Sequence, residues 1–265
     1  MLDFEYKDSY GVYDLARVVE ILRAPGGCPW DAEQTHQSIR RNFLEETYEV
    51  CEAIDEESPE HLKEELGDVL LQVLFHTQIE REAGRFDLDD VADGVTKKLI
   101  FRHPHVFGET QVSGTDQVLV NWEELKRVEK GQSRYADTVD SVARSLPSLW
   151  RAEKVQKKAK KAGFDWPDAA GALDKLSEEL DELRQAVREG TNVQEELGDL
   201  LFAAVNVARF VGADPEDSLH AACDKFSRRF RLVEDKALAA GKDMKELPLA
   251  ELDKLWDEAK KDLKA

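Results

Sequence analysis

Cysteine is scarce in this sequence, positive charge is outnumbered, and no apolar run is long. The three cysteines, Cys28, Cys51 and Cys223, are far apart and odd in number. That excludes a disulfide framework or a paired-cysteine zinc site and fits a reducing cytoplasm. Against 56 acidic residues stand 37 lysines and arginines, for a formal charge of -19. Nonspecific binding to nucleic acid or to an anionic membrane is therefore not expected, since both need a net basic face. The longest apolar runs, 69–75 and 200–211, are too short or too interrupted to span a bilayer. Residues 1–5 lack the basic and apolar regions of a signal peptide. No segment alternates in polarity strongly enough to read as a strand, so the expectation is an all-α protein.

What is present is a repeat. The stretch Glu64-Glu65-Leu66-Gly67-Asp68 returns as Glu195-Glu196-Leu197-Gly198-Asp199. In each copy apolar residues recur at helical spacing, through Leu66, Val69, Leu70 and Val73 in the first and Leu197, Leu200, Leu201 and Ala204 in the second. Both are predicted core helices. Residues three apart are neighbours on a helix, so Glu65 with Asp68 and Glu196 with Asp199 put two carboxylates at the edge of a buried face. Negative charge there is costly unless a cation compensates it. An acidic helix precedes each copy and offers a second pair, Glu46 with Glu49 and Glu179 with Glu182. Two antiparallel helices bring four carboxylates to one point, a donor set that suits Mg²⁺ or Mn²⁺. Gly67 and Gly198 are unfavourable inside a helix and predict close approach by another backbone.

The rest of the chain follows the same order twice. Lys98 with Arg102 returns as Lys225 with Arg229, and Trp122 with Lys126 returns as Trp256 with Lys260. The separations are 133 residues for Glu46 to Glu179, 131 for Asp68 to Asp199, 127 for Lys98 to Lys225 and 134 for Trp122 to Trp256. This predicts two helical domains, 10–130 and 148–265, joined by a polar, unpatterned linker at 131–147. The residues around Cys28-Pro29-Trp30-Asp31 show neither helical nor strand period. The lysine and arginine pairs fit an anionic substrate, the guanidinium matching a phosphate edge and the ammonium acting as a point charge. Trp122 and Trp256 are core residues by default and a base platform otherwise. Lys157, Lys158, Lys160 and Lys161 read as a solvated face. His103 and His105 have no second-half counterpart and read as structural. Glu33 with His36 lacks the partner pair that a di-iron bundle needs.

Five stretches together resemble the MazG family of tandem-domain nucleoside triphosphate pyrophosphohydrolases. They are Glu45-Glu46-Thr47-Tyr48-Glu49, the Glu64–Asp68 stretch, Arg102-His103-Pro104-His105-Val106-Phe107, Gly163-Phe164-Asp165-Trp166 and Lys225-Phe226-Ser227-Arg228-Arg229-Phe230. The resemblance implies all-α bundles completed in a homodimer, and Mg²⁺-dependent hydrolysis of nucleoside triphosphates to monophosphate and pyrophosphate with broad base tolerance. Carried over by motif, Glu179, Glu182, Glu196 and Asp199 are the metal-binding and catalytic carboxylates, with Lys225, Arg229, Trp256 and Lys260 around the nucleotide. The C-terminal half is usually the active one in tandem members. The N-terminal half nevertheless retains a second possible site in Glu46, Glu49, Glu65 and Asp68 with Lys98, Arg102, Trp122 and Lys126. A different reading of the same residues is an acidic helical adaptor for a basic protein, with nucleotide as a regulatory ligand only.

Overall fold

A computed structural model of the chain describes residues 4–263. Among these residues every regular element is helical, as the lack of alternation predicts. The chain divides into two compact units whose boundary in sequence falls between Lys126 and Arg127.

The first unit contains α1 (Val12–Arg23), α2 (Pro29–Glu33), α3 (His36–Asp55), α4 (Pro59–Glu82), α5 (Leu88–Arg102), α6 (Pro104–Phe107) and most of α7 (Thr115–Glu129). Helices α3, α4 and α5 begin at capping residues whose side chains satisfy otherwise orphaned N–H groups of the first turn. Thr35 accepts from the Ser38 N–H and Ser58 from the His61 N–H, with Pro59 at the first helical position. The turn between α3 and α4 is three residues long, and Glu57 takes it through the left-handed region at φ 52°. So short a connection makes α3 and α4 an antiparallel hairpin. Val19, Ile39, Leu74 and Phe75 close the core against α1, with Leu70, Leu71 and Ile79 packed around them.

The segment around Pro29 is helical, contrary to the sequence reading. Proline at the first position of α2 presets its backbone, and Arg23 holds the segment by donating to the Asp31 carbonyl at 2.6 Å and the Gln34 carbonyl at 3.1 Å. The same guanidinium forms a bidentate pair with Glu82, both bonds 2.9 Å. Neither contact has a signature in local periodicity. His36 also gains partners that sequence spacing did not show. Its ring stacks on His76 with centroids 5.0 Å apart, and its Nε2 lies 2.5 Å from Glu80. Arg85 binds the same carboxylate. Arg85, then His36, draws the Glu80 carboxyl down to about 2, while burial and then the charge of His36 lower His76.

The second unit contains α8 (Tyr135–Asp140), α9 (Ser148–Lys161), α10 (Ala169–Glu189), α11 (Val193–Val211), α12 (Pro215–Ala239), a 3₁₀ turn at Met244–Glu246, and α13 (Leu249–Asp262). Helix α8 lies inside the stretch 131–147 expected as an unpatterned linker. It is held by local bonds, the Arg134 N–H donating to Asp137 at 2.8 Å and Thr138 to the Tyr135 carbonyl at 2.6 Å, with Arg127 5.1 Å over the Tyr135 ring. Six residues are too few to display a helical period. Helices α10 and α11 repeat the hairpin, their turn passing through Gly190 at φ 70° and Asn192 at φ 52°. Asp214 caps α12 and accepts from the Trp150 indole at 3.1 Å, tying it to α9. Arg209 of α11 pairs with Asp165 and fixes the loop between α9 and α10. No helix among the described residues is long and apolar enough to cross a membrane.

Leu74 is 1% exposed at the centre of the first core. Leu74→Ala is expected to destabilise the first unit by about 3 kcal/mol in denaturant unfolding, and a loss below about 1 kcal/mol would contradict a closed core there. Because the folded-state pKa of Glu80 is depressed to about 2 from 4.5, its contribution is present above the higher value and lost as pH falls towards the lower. The melting-temperature gap between wild type and Glu80→Gln should therefore narrow across that acid window. A gap that stays constant would show that the cluster contributes nothing through charge.

Candidate active site

Each hairpin brings acidic side chains of its two helices together. In the second unit, oxygens of Glu179 from α10 and of Glu196 and Asp199 from α11 lie within 4.8 Å of one another. In the first unit the same holds for Glu46 and Glu49 from α3 and Glu65 from α4. Each triad holds three of the four carboxylates singled out in the sequence. The fourth stands close by in both units. Glu182 shares a hydrogen bond with Glu179, and Asp68 acts on Glu46 through its charge.

The electrostatic state of the clusters follows from burial and like charge. Glu179 and Glu65 are buried, at 6% and 9% exposure. Burial, then the charges of Asp68 and Glu49, raises the Glu46 carboxyl above its ordinary value. Burial and Glu49 do the same to Glu65, and burial and Glu179 to Glu182. Carboxylates so placed hold protons more tightly than in water, and a divalent cation relieves both desolvation and repulsion. An all-oxygen set with several donors in one small volume is the chemistry that Mg²⁺ or Mn²⁺ prefers. The residues fit such an ion.

Each cluster also has a nearby basic side chain that the sequence reading did not single out. Lys175 lies 2.7 Å from both Glu178 and Glu179, and the two carboxylates raise its pKa. Its spacing, three and four residues ahead of two acids on one helix, is a readable signal. In the first unit His61 lies 3.3 Å from Glu65 and 2.9 Å from Glu56. Gly67 and Gly198 behave differently from expectation. A Cβ on either would meet nothing within 4 Å, so no other backbone of the chain approaches them. Both lie on an exposed helix face, where the lack of a side chain leaves open space.

The nucleotide-binding candidates form a second group on α12 and α13. The Arg229 guanidinium lies 5.8 Å over the Trp256 ring, and Phe226 packs on the same ring with centroids 5.1 Å apart. The Arg229 Nε is buried without a hydrogen-bond partner. Lys260 pairs with Asp257 at 3.0 Å, and Lys225 is exposed on α12. In the first unit Arg102 is buried and Lys98 exposed, Lys126 is half-buried on α7, and Trp122 contacts His103 with centroids 5.8 Å apart. The Trp122 indole N–H has no partner. His105 packs beside His103 at 5.6 Å.

Comparison with known proteins gives consistent results. The sequence model of the MazG nucleotide pyrophosphohydrolase domain matches residues 34–107 and again 169–233. The chain is 44% identical over 247 residues to the nucleoside triphosphate pyrophosphohydrolase/pyrophosphatase MazG of Thermotoga maritima, covering 93% of this chain and 94% of that protein. It is 43% identical over 252 residues to the nucleoside triphosphate pyrophosphohydrolase of Escherichia coli K12, covering 93% and 96%. A protein of Bacillus subtilis, YabN, is 48% identical over 246 residues, which make up 50% of its length.

The raised Glu46 carboxyl gives a sign that can be checked. In the folded protein it keeps its proton to higher pH than in the unfolded chain, so its cost to stability appears as pH rises through the folded value. In EDTA at about pH 8, Glu46→Gln should melt above wild type, and the gain should vanish below about pH 4.5. The variant should also lose part of the thermal stabilisation that added Mg²⁺ gives. A variant that melts lower than wild type in EDTA would show that the carboxylates are not in mutual repulsion.

Proposed function

The chain belongs to the MazG nucleotide pyrophosphohydrolase family, and from that membership we propose that it hydrolyses nucleoside triphosphates to monophosphate and pyrophosphate, using Mg²⁺ or Mn²⁺ and accepting several bases. The observation that carries the reading is the meeting of Glu179, Glu196 and Asp199 within 4.8 Å across the α10–α11 hairpin. These residues, with Glu182 beside Glu179, would hold the ion. When bound, it supplies Lewis-acid polarisation of phosphate oxygens and acidifies a water.

The chain's own residues do the rest. Glu182, which stands beside Glu179 but outside the close triad and whose carboxyl is pushed up by burial and by Glu179, accepts the proton of the attacking water. Lys225, Arg229 and Lys260 offset charge on the triphosphate and on departing pyrophosphate. Trp256 orders Arg229 by lying under its guanidinium. The first unit's Glu46, Glu49, Glu65 and Asp68, with Lys98, Arg102, Trp122 and Lys126, provide a second site of the same type. The second unit is the catalytic one in this reading.

A homodimer in the cytoplasm completes the picture. Leu173, Leu180, Leu197 and Leu201 are 51%, 37%, 45% and 50% exposed along α10 and α11, an apolar stripe that a second hairpin of the same kind would cover.

The test is pyrophosphate release from ATP, GTP, CTP and UTP with Mg²⁺. Wild type is expected to turn over all four, and Glu196→Gln or Asp199→Asn to lose at least about 100-fold, the upper range for loss of a residue that merely supports a metal ligand. Turnover retained in both variants would remove the carboxylates from the mechanism. Nucleotide binding without any pyrophosphate would favour the adaptor reading.

A further inference from the structure

Lys175 competes for a carboxylate that the metal site needs. Its Nζ lies 2.7 Å from Glu178 and 2.7 Å from Glu179, the acids three and four residues further along α10. Glu179 belongs to the close triad with Glu196 and Asp199, and the charge of the ammonium reaches Glu182 as well. Ion pairs at this spacing are common on helix surfaces, where water screens them and they contribute little. This pair differs because Glu179 is 6% exposed. A carboxylate buried to that extent has to be compensated. When no ion is bound, Lys175 is the group that compensates it.

The first unit shows that the hairpin and its acids do not require an ammonium at this place. The 133-residue offset that aligns Glu46 with Glu179 sets Asn42 opposite Lys175 and Glu45 opposite Glu178. Asn42 carries no charge. The preceding residue, Arg41, has a side chain 86% exposed and pairs with Glu45 at 2.7 Å. The basic group beside the first cluster comes instead from the other helix of the hairpin, as His61 at 3.3 Å from Glu65. An ammonium on the buried acid of the cluster is thus a feature of α10 alone.

An ammonium and a divalent ion on one carboxylate repel each other strongly at such short range. One of them has to give way. Lys175 can do so without any movement of the backbone, because its charge rides on a flexible stem and its side chain is 37% exposed. The acid that it keeps, Glu178, is 58% exposed and lies on the same helix.

We propose that Lys175 is the resident counter-ion of the second cluster: it holds Glu179 in the absence of metal and withdraws to Glu178 when a divalent ion enters. It is a positioning residue, and its role rests on the metal-dependent reading given above. The exchange weakens the affinity of the cluster for an ion alone. It also leaves a positive charge beside the ion, which a nucleoside triphosphate offsets, so the second unit favours an ion that comes with its nucleotide.

The test is binding of Mn²⁺ alone, read by electron paramagnetic resonance at neutral pH without nucleotide. The full chain carries Glu46→Gln and Glu49→Gln, so that only the second cluster is titrated. Adding Lys175→Gln should tighten Mn²⁺ binding by about tenfold. Removal of a residue that merely shapes the site would give the opposite sign. In EDTA the same substitution should lower the melting temperature, and Mn²⁺ should then raise it by more than it does when Lys175 is present. The reciprocal change is Asn42→Lys, made with the second cluster disabled by Glu196→Gln and Asp199→Asn. It should weaken Mn²⁺ binding at the first cluster by a similar factor. In turnover, Lys175→Gln alone should reach half-maximal rate at lower free Mg²⁺ but with a higher KM for ATP. If wild type binds no Mn²⁺ that Glu196→Gln removes, the metal reading itself falls. If it does, while Lys175→Gln leaves Mn²⁺ binding unchanged or weaker, the role of Lys175 alone is overturned. Should Lys175→Gln fail to fold, Asn42→Lys decides, and binding there that is unchanged or tighter overturns the proposal.

Discussion

Carboxylates held at the inner edge of a helical hairpin repel one another, and much of the arrangement around them answers that repulsion. An exposed acidic helix would spread its charge into water at little cost. Here Glu179 and Glu65 are buried, and three acids in each unit share a volume less than 5 Å across. The three-residue turns at 56–58 and 190–192 make the convergence compulsory, because they leave the second helix of each hairpin no choice but to run back along the first. Even there, residues with left-handed backbone are needed to make the turn, and two of them, Glu57 and Asn192, are not glycine. The hairpin is thus made at some local cost, which its interhelical packing offsets.

Much of this was legible in the sequence. Caps at Thr35, Ser58 and Asp214, each beside an apolar-periodic run, fix where α3, α4 and α12 begin. The duplicated Glu-Glu-Leu-Gly-Asp stretch points to both clusters, and the order of acidic, basic and tryptophan pairs points to the tandem plan. What was not legible has identifiable physical origins. Helices α2 and α8 are five and six residues long and are held by Arg23 and by Asp137 and Thr138, so period carries no information about them. Gly67 and Gly198 were read as sites of close backbone contact, but glycine records only the absence of a side chain. Open space on one face is an equally good reason for it. His76 and Glu80 gave no signal at all, since their partner His36 is 40 and 44 residues distant.

The two units keep their carboxylates and change their surroundings. In the first, Arg23 of α1 reaches Glu82 of α4 to secure the loop between α1 and α3. In the second, the arginine is on the second helix of the hairpin and the acid in the loop, as Arg209 with Asp165. The same mechanical task is done with the charges exchanged. Beside that latch Asn206 and Gln156 line a cavity, whereas Phe75, the counterpart of Asn206 in the first unit, packs with Val19 and Leu74. Divergence between duplicated halves is concentrated in what lies beside the acids.

The basic group beside each cluster differs as well, and the net charge of the chain makes this matter. At a formal -19 the chain as a whole repels a nucleoside triphosphate, so attraction has to come from groups within a Debye length of the site. Lys175, next to Glu179, carries its charge throughout the neutral range, and Glu178 and Glu179 bind its proton more tightly still. His61, next to Glu65, is a weaker base that Glu56, more than the cluster, pulls upward. An ammonium with two carboxylate partners on its own helix can release one and keep the other when Glu179 is needed elsewhere. The histidine of the first unit is bound more closely to Glu56 than to the cluster acid, 2.9 against 3.3 Å. Two clusters with the same acids at the same helical positions therefore present different fields to an incoming polyanion, and the standing positive charge belongs to the cluster of the second unit.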